Sequence, residues 1–283
     1  MALEEILKQI RPLNKEAMES AGKRWDSIAK PLHSLGKMED LVIQIAGIQE
    51  TPDISVKKRA LVSMCADNGV VEEGVTQTGQ EVTAIVAENF LSGDTSACVM
   101  CRQCGTDVFP VDVGMVVNTK VPTDLKVAMG TKNMTKEPAM TREEAIKGLE
   151  AGIEMVRRLK EKGYTLLATG EMGIGNTTTS SAVASVLLDE PVEKMTGRGA
   201  GLSSEGLNRK IAAIKKAVEV NKPDPSDAID VLAKVGGFDI AGMAGVFLGG
   251  AALRVPVVID GFISCVSALI AKKICPTAGD YMI

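Results

Sequence analysis

Gly170-Glu-Met-Gly-Ile-Gly-Asn-Thr-Thr-Thr-Ser-Ser181 follows the apolar run Tyr164-Thr-Leu-Leu-Ala-Thr169 and leads into Ala182-Val-Ala-Ser-Val-Leu-Leu188. The order apolar run, glycine turn, small-residue amphipathic segment predicts a strand, a tight turn and a helix start. Such a turn lets backbone N–H groups approach a ligand, and the helix it opens presents its positive end to an anion. Asn176 and Thr177 to Thr179 add donors, so a phosphate site fits the stretch. A glycine turn that only caps a helix fits it too. A Walker loop does not, because its lysine position holds Asn176, and neither does GxGxxG, because no glycine stands at position 178.

Working outward, three more short apolar runs alternate with helical patterns: Ala60-Leu-Val-Ser-Met-Cys65, Val108-Phe-Pro-Val-Asp-Val113 and Val255-Pro-Val-Val-Ile259. The alternation predicts an α/β fold with a parallel open sheet flanked by helices. An acid and a glycine recur at the strand ends: Asp67-Asn68-Gly69, Asp112-Val-Gly114, Glu171-Met-Gly173 and Asp260-Gly261. Carboxyl ends of parallel strands are where open α/β sheets bind ligands, while Asp and Gly also serve simply to end strands and start turns. The first fifty residues read as helical, with Asn14 before Lys15-Glu16-Ala17-Met18 and an amphipathic Met38 to Ile48 punctuated by Pro31 and Gly36. They define an expected smaller helical domain, 1–50, beside a nucleotide-binding large domain, 51–283. Thr141-x-x-Glu144 reads as a capping box opening a helix from Arg142 to Lys162, and Asp224-Pro225 as an N-cap with proline at the first helical position.

Composition narrows the function. With 45% hydrophobic residues in 283, the chain can bury a large core. A net charge of −4 without a basic stripe argues against nucleic acid as partner. No apolar run long enough to span a bilayer and no secretory n/h/c pattern occur, so the expectation is a cytoplasmic protein with no membrane partner. Cys98-x2-Cys101-x2-Cys104 invites a metal reading, but Glu81 to Gln103 has helical periodicity and no fourth ligand at sensible spacing, so buried helix residues are expected. His33 is the single histidine, which nearly excludes histidine triads and multi-histidine metal sites. A second glycine and hydroxyl cluster, Thr196-Gly-Arg-Gly-Ala-Gly-Leu-Ser-Ser204, runs into a helix whose Lys210 can supply a cation to a phosphate.

Ordered along the chain, Lys30-Pro-Leu-His-Ser-Leu-Gly36, Ala66-Asp-Asn-Gly-Val70, Gln80-Glu-Val-Thr83, Asn89-Phe-Leu, Val111-Asp-Val-Gly114, Gly130-Thr131, Pro138-Ala-Met-Thr141, Gly170 to Thr178, Gly236-Gly-Phe238 and Asp260-Gly-Phe-Ile-Ser264 resemble the nicotinate mononucleotide:5,6-dimethylbenzimidazole phosphoribosyltransferase family. The resemblance covers essentially the whole chain. It implies a dimeric enzyme that moves ribose 5-phosphate from nicotinate mononucleotide to a benzimidazole or phenolic lower-ligand base, with no cofactor and no metal. It assigns Glu171 as the catalytic carboxylate at the ribose. The nucleotide phosphate falls to Gly173, Gly175, Asn176, Thr177 and Thr178 together with Gly201 and Lys210, and the acceptor pocket to Gln80. Departures from the family pattern are Asn68, where a histidine is usual, and Leu32-His33 before Ser34-Leu35-Gly36. Asp280-Tyr-Met-Ile283 aligns within the usual chain, ahead of a serine-containing segment and a Leu-Gly-Glu-Gly motif that carries the family's proposed general base. The resemblance therefore leaves three expectations open: a phosphoribosyltransferase continued by a further tail, a short subunit of a heterodimer whose base comes from a related chain, and a non-catalytic nucleotide-binding relative.

Overall fold

The computed structural model describes residues 2–283. Its elements in order are α1 (Leu3–Leu7), α2 (Lys15–Ser27), α3 (Lys37–Gln49), β1 (Arg59–Ala66), α4 (Glu81–Ser92), α5 (Ser96–Gln103), β2 (Thr106–Gly114), α6 (Arg142–Glu161), β3 (Leu166–Met172), α7 (Asn176–Leu187), α8 (Val192–Met195), α9 (Ser204–Asn221), α10 (Ala228–Val235), α11 (Phe238–Leu253), β4 (Val257–Val258) and α12 (Phe262–Ile274). Two 3-10 turns, Gly69–Glu73 and Pro276–Tyr281, complete it.

The four strands are all parallel and lie in the order β2-β1-β3-β4. The chain leaves β1 for β2 on one side and then crosses to β3 on the other. Strand order thus reverses between β1 and β3, and a crevice opens at their carboxyl ends. β1 is central and buried on both faces, as its uncharged run Ala60–Ala66 requires. Val62, Met64 and Ala66 join the main core under α6 and α11, while Cys65 packs with Ala87 of α4, Met115 and Val121 on the opposite face.

α6 and α11 approach closely because glycines line their contact. A Cβ on Gly152 would stand 1.9 Å from the Gly242 carbonyl oxygen, and one on Gly245 would stand 2.0 Å from that of Leu149. Ile6 of α1 and Ile48 of α3 join the main core, and Gln44 Nε2 donates to the carbonyls of Asp280 and Met282, each at 2.9 Å. The N-terminal helices are therefore stitched to the far end of the sequence.

Three local expectations change. The helical segment read from Glu81 to Gln103 is two helices, broken where Gly93 takes a left-handed φ of 82° and Thr95 caps α5 by accepting from the Cys98 amide. Only Cys98 of its three cysteines is buried; Cys101 is half-buried and Cys104 exposed. The cap of α10 is Asp227, which accepts from the Ile229 and Asp230 amides, whereas Asp224 is used in a turn with the Ser226 amide. Two nearby aspartates compete for one helix start, and the one nearer the apolar periodicity captures it. The capping box at Thr141 and Glu144 forms as predicted.

Candidate functional site

The glycine turn sits where the strand order reverses. β3 ends at Met172, Gly173 is buried, Gly175 takes φ 94°, and α7 begins at Asn176. Gly173 must lack a side chain, since a Cβ there would stand 2.5 Å from Asp239 Oδ2 and 2.6 Å from the Ala66 carbonyl oxygen. α7 has no side-chain cap, so its positive end is left for another partner. Two amides of the turn are already engaged: Ile174 donates to Thr83 Oγ1 at 3.1 Å and Asn176 to the Gly173 carbonyl at 3.1 Å.

Above the turn lies a cavity of about 140 Å³, lined by Val75 to Thr78, Gly173 to Thr177, Arg198 to Ala200 and Leu202. Gln77 Nε2 donates to the Gly201 carbonyl at 2.6 Å and so ties one wall to the other. Larger hollows lie against the N-terminal helices α2 and α3 and beside α6, but no glycine lines them.

The site has two electrical poles that meet at consecutive residues. On one side Lys210 of α9 is fully buried, donates to Thr177 Oγ1 at 2.7 Å and to the Gly197 carbonyl at 3.2 Å, and has no carboxylate partner among the described residues. Burial pulls its ammonium down to about 8. On the other side the Asn176 amide nitrogen donates to Glu171 Oε2 and, at 3.0 Å, to Asp239 Oδ2. Burial raises the Glu171 carboxyl above its ordinary value; the Asn176 bond opposes that shift and the charge of Asp260 adds to it. Asp239 is fully buried at the first turn of α11, and burial together with the Glu171 charge pushes it up to about 7.

The other sequence-assigned residues fall around this pair of poles unequally. Gln80 stands at the start of α4 and donates to the Asn68 carbonyl at 3.2 Å. Thr178 is wholly inside, with a hydroxyl that has no partner, and it does not line the cavity. Gly201 turns the second glycine loop with φ 103°. The four strand-end acids divide. Asp112 accepts from the Gly114 and Met115 amides and pairs with Lys126 at 3.1 Å, and Asp67 accepts from the Val116 amide at 2.8 Å, so both hold the ends of β1 and β2. Glu171 accepts from the Asn176 side chain and Asp260 is exposed, and neither is paired with a cation among the described residues.

Sequence reading missed Asp239, Arg198 and the buried side chain of Asn68, which donates to the Ile174 carbonyl at 3.4 Å and accepts from Thr179 Oγ1 at 3.5 Å. A signal for Asp239 existed: it is the single charged residue in the sixteen-residue run Phe238-Asp-Ile-Ala-Gly-Met-Ala-Gly-Val-Phe-Leu-Gly-Gly-Ala-Ala-Leu253. A lone acid in a helix buried on all sides is rarely idle.

The chain is similar to known proteins along nearly its whole length. Residues 10–283 match a family model, DBI_PRT, described as phosphoribosyltransferase. A nicotinate-nucleotide–dimethylbenzimidazole phosphoribosyltransferase from Ruminiclostridium cellulolyticum is 54% identical over 285 residues, covering 100% of this chain and 81% of the relative. The enzyme of the same name from Clostridium acetobutylicum is 50% identical with the same coverage. The crystal structure of CobT from Thermus thermophilus superposes with a TM-score of 0.89 at 38% identity, over 95% of this chain and 81% of that one.

Proposed function

The chain belongs to this phosphoribosyltransferase family, and from that premise we propose that it transfers the ribose 5-phosphate of nicotinate mononucleotide to a lower-ligand base. The acceptor is dimethylbenzimidazole or a related azole or phenol, and the product is an α-riboside phosphate. The observation that carries the proposal is the two-pole site, with Thr177 toward an unpaired buried lysine and Asn176 toward two carboxylates.

The donor has the matching polarity. Its phosphate is anionic, and the nicotinate nitrogen is a pyridinium. When the C1–N bond breaks, its electron pair goes to nicotinate, which leaves without protonation, and positive charge passes to the sugar ring. The cavity over the glycine turn, with Arg198 in its wall and Lys210 behind Thr177 and Gly199, receives the phosphate. Glu171 faces the sugar, where a carboxylate favours the cationic transition state over the ground state. The acceptor then closes a new bond to C1, through the unprotonated azole nitrogen or the phenol oxygen, on the side bordered by Gln80, and the proton of its other N–H or of its O–H passes to a base. Held in one site, the two reactants need no further search for each other.

We also propose a dimer, with itself or a related subunit, in the cytoplasm. Exposed Leu32, Leu35 and Met38 supply apolar surface for such a contact, and sedimentation of the purified chain reads its mass. The transfer itself is tested by incubating the chain with nicotinate mononucleotide and dimethylbenzimidazole and measuring nicotinate release alongside riboside phosphate. Stoichiometric formation of both is expected. Absence of nicotinate release together with absence of saturable donor binding overturns the proposal.

A further inference from the structure

Asp239 is buried with no lysine or arginine paired to it among the described residues. The groups facing it are Asn176 of α7, Glu171 beyond that amide on β3, Asn68 after β1, and the Ile240 amide of its own helix, which donates to Oδ1 at 3.0 Å. Space is kept for it by two glycines: a Cβ on Gly173 would stand 2.5 Å from Oδ2, and one on Gly237 would stand 2.6 Å from Oδ1. Burying a carboxylate without a cation is costly, and a bridge needed only for architecture could be built from neutral groups. Here the backbone of two separate turns is shaped around the acid, and its one side-chain partner is the amide that also grips Glu171.

We propose that Asp239 is a positioning residue: through Asn176 it fixes the Glu171 carboxylate and adds its own negative charge to the face on which the sugar becomes cationic. The inference rests on the transfer reaction proposed above and extends it to a residue one amide removed from the substrate. Since burial places Asp239 near 7, its charge is present in mildly alkaline solution and lost in acid.

Two ligands that share the phosphate anchor test it. Ribose 5-phosphate has a neutral ring, whereas an N,N-dimethyliminoribitol 5-phosphate carries a quaternary ring nitrogen whose charge does not change with pH. Calorimetry at pH 8 should give a preference for the cationic ring in the parent. Asp239→Asn, which keeps the shape of the protonated acid, should cut that preference on the order of tenfold and leave ribose 5-phosphate affinity nearly unchanged. The same variant should lower kcat about tenfold with little change in donor KM, and adding it to Glu171→Gln should cost less than it costs in the parent. A purely architectural role would instead weaken both ligands together. Should that variant not fold, Asp239→Ser, which removes the charge at smaller size, is expected to lose the same preference. A preference that survives either folded variant overturns the positioning role while leaving the transfer reading intact. Failure of the parent to bind either phosphate overturns the transfer reading, and this inference with it.

Discussion

Helix starts in this molecule come in two kinds. α2, α5, α6, α9 and α10 begin with Asn14, Thr95, Thr141, Ser203 and Asp227, and each of these side chains accepts from an amide of its own first turn. The helices whose first turns are buried at the sheet crevice, α7 and α11, begin after Gly175 and Gly237 with no side-chain cap from those residues. A capped end has spent its polarity internally. An uncapped end that is also buried must have its polarity answered from outside the helix. α1, α3, α4, α8 and α12 also start uncapped, but where the first residues reach the surface and water serves. The contrast teaches that the same few atoms either stabilise the helix or wait for a ligand, and that the surroundings decide which.

The contrast can be broken most severely at its acidic side. Glu171→Gln keeps the Asn176 bond possible but removes the charge, and transfer should fall by about 10²–10³. Acting on the shared donor, it should hurt every acceptor by a similar factor; steady-state rates with dimethylbenzimidazole and with a phenol compare them. Next in size is Lys210→Ala, which should weaken nicotinate mononucleotide about tenfold or more, since a charged hydrogen bond is worth roughly 1.5–3 kcal/mol. In the parent, donor affinity should fall as pH rises above about 8, where the buried ammonium loses its proton. Equal affinities of parent and variant by calorimetry would remove Lys210 from the phosphate pole.

Closing an open end sharpens the comparison from the other direction. Gly173→Ala drives a methyl group against Asp239 and the Ala66 carbonyl, and overpacking of this kind costs about 1–3 kcal/mol, read as a drop in denaturant midpoint. A linked effect appears in the unliganded parent. The folded Asp239 binds its proton up to about 7 against an ordinary 3.8, so its contribution is complete below 3.8 and is lost as pH rises through 7. Melting temperature should therefore decline from pH 4 to pH 7, and Asp239→Asn should flatten that decline. The smallest effect belongs to a capped end. Thr141→Ala should cost about 1 kcal/mol of stability and leave turnover alone, because its hydrogen bonds stay within α6.

Much of this layout is legible in the linear sequence, for reasons that are local. The apolar runs at β1, β2 and β3 and the glycine turn before Asn176 each declare themselves within a dozen residues. So do the caps at Asn14 and Thr141, because cap and amide are three residues apart. The pairing of Asn176 with Asp239 spans 63 positions and depends on α11 threading behind the sheet, which no local pattern encodes. Asp67 and Asp112 look like Glu171 in the sequence, and only the three-dimensional neighbours of Asp112, Lys126 and the Gly114 and Met115 amides, reveal that it is occupied. Likewise Asp224 and Asp227 offer equal caps on paper, and the packing of α10 chooses between them.

The glycine-lined seam between α6 and α11 has a consequence in time as well as space. With carbonyl and Cα of the two helices nearly touching, α11 cannot shift sideways without opening the core, so its amides should exchange with solvent only when the whole molecule unfolds. The loop 197–201, exposed and tied down by Gln77 and Lys210 through single carbonyls, should exchange through brief local opening instead. Hydrogen exchange would then map a site with one clock on each side: a slow wall that carries Asp239, and a fast wall that carries Gly199 and Gly201.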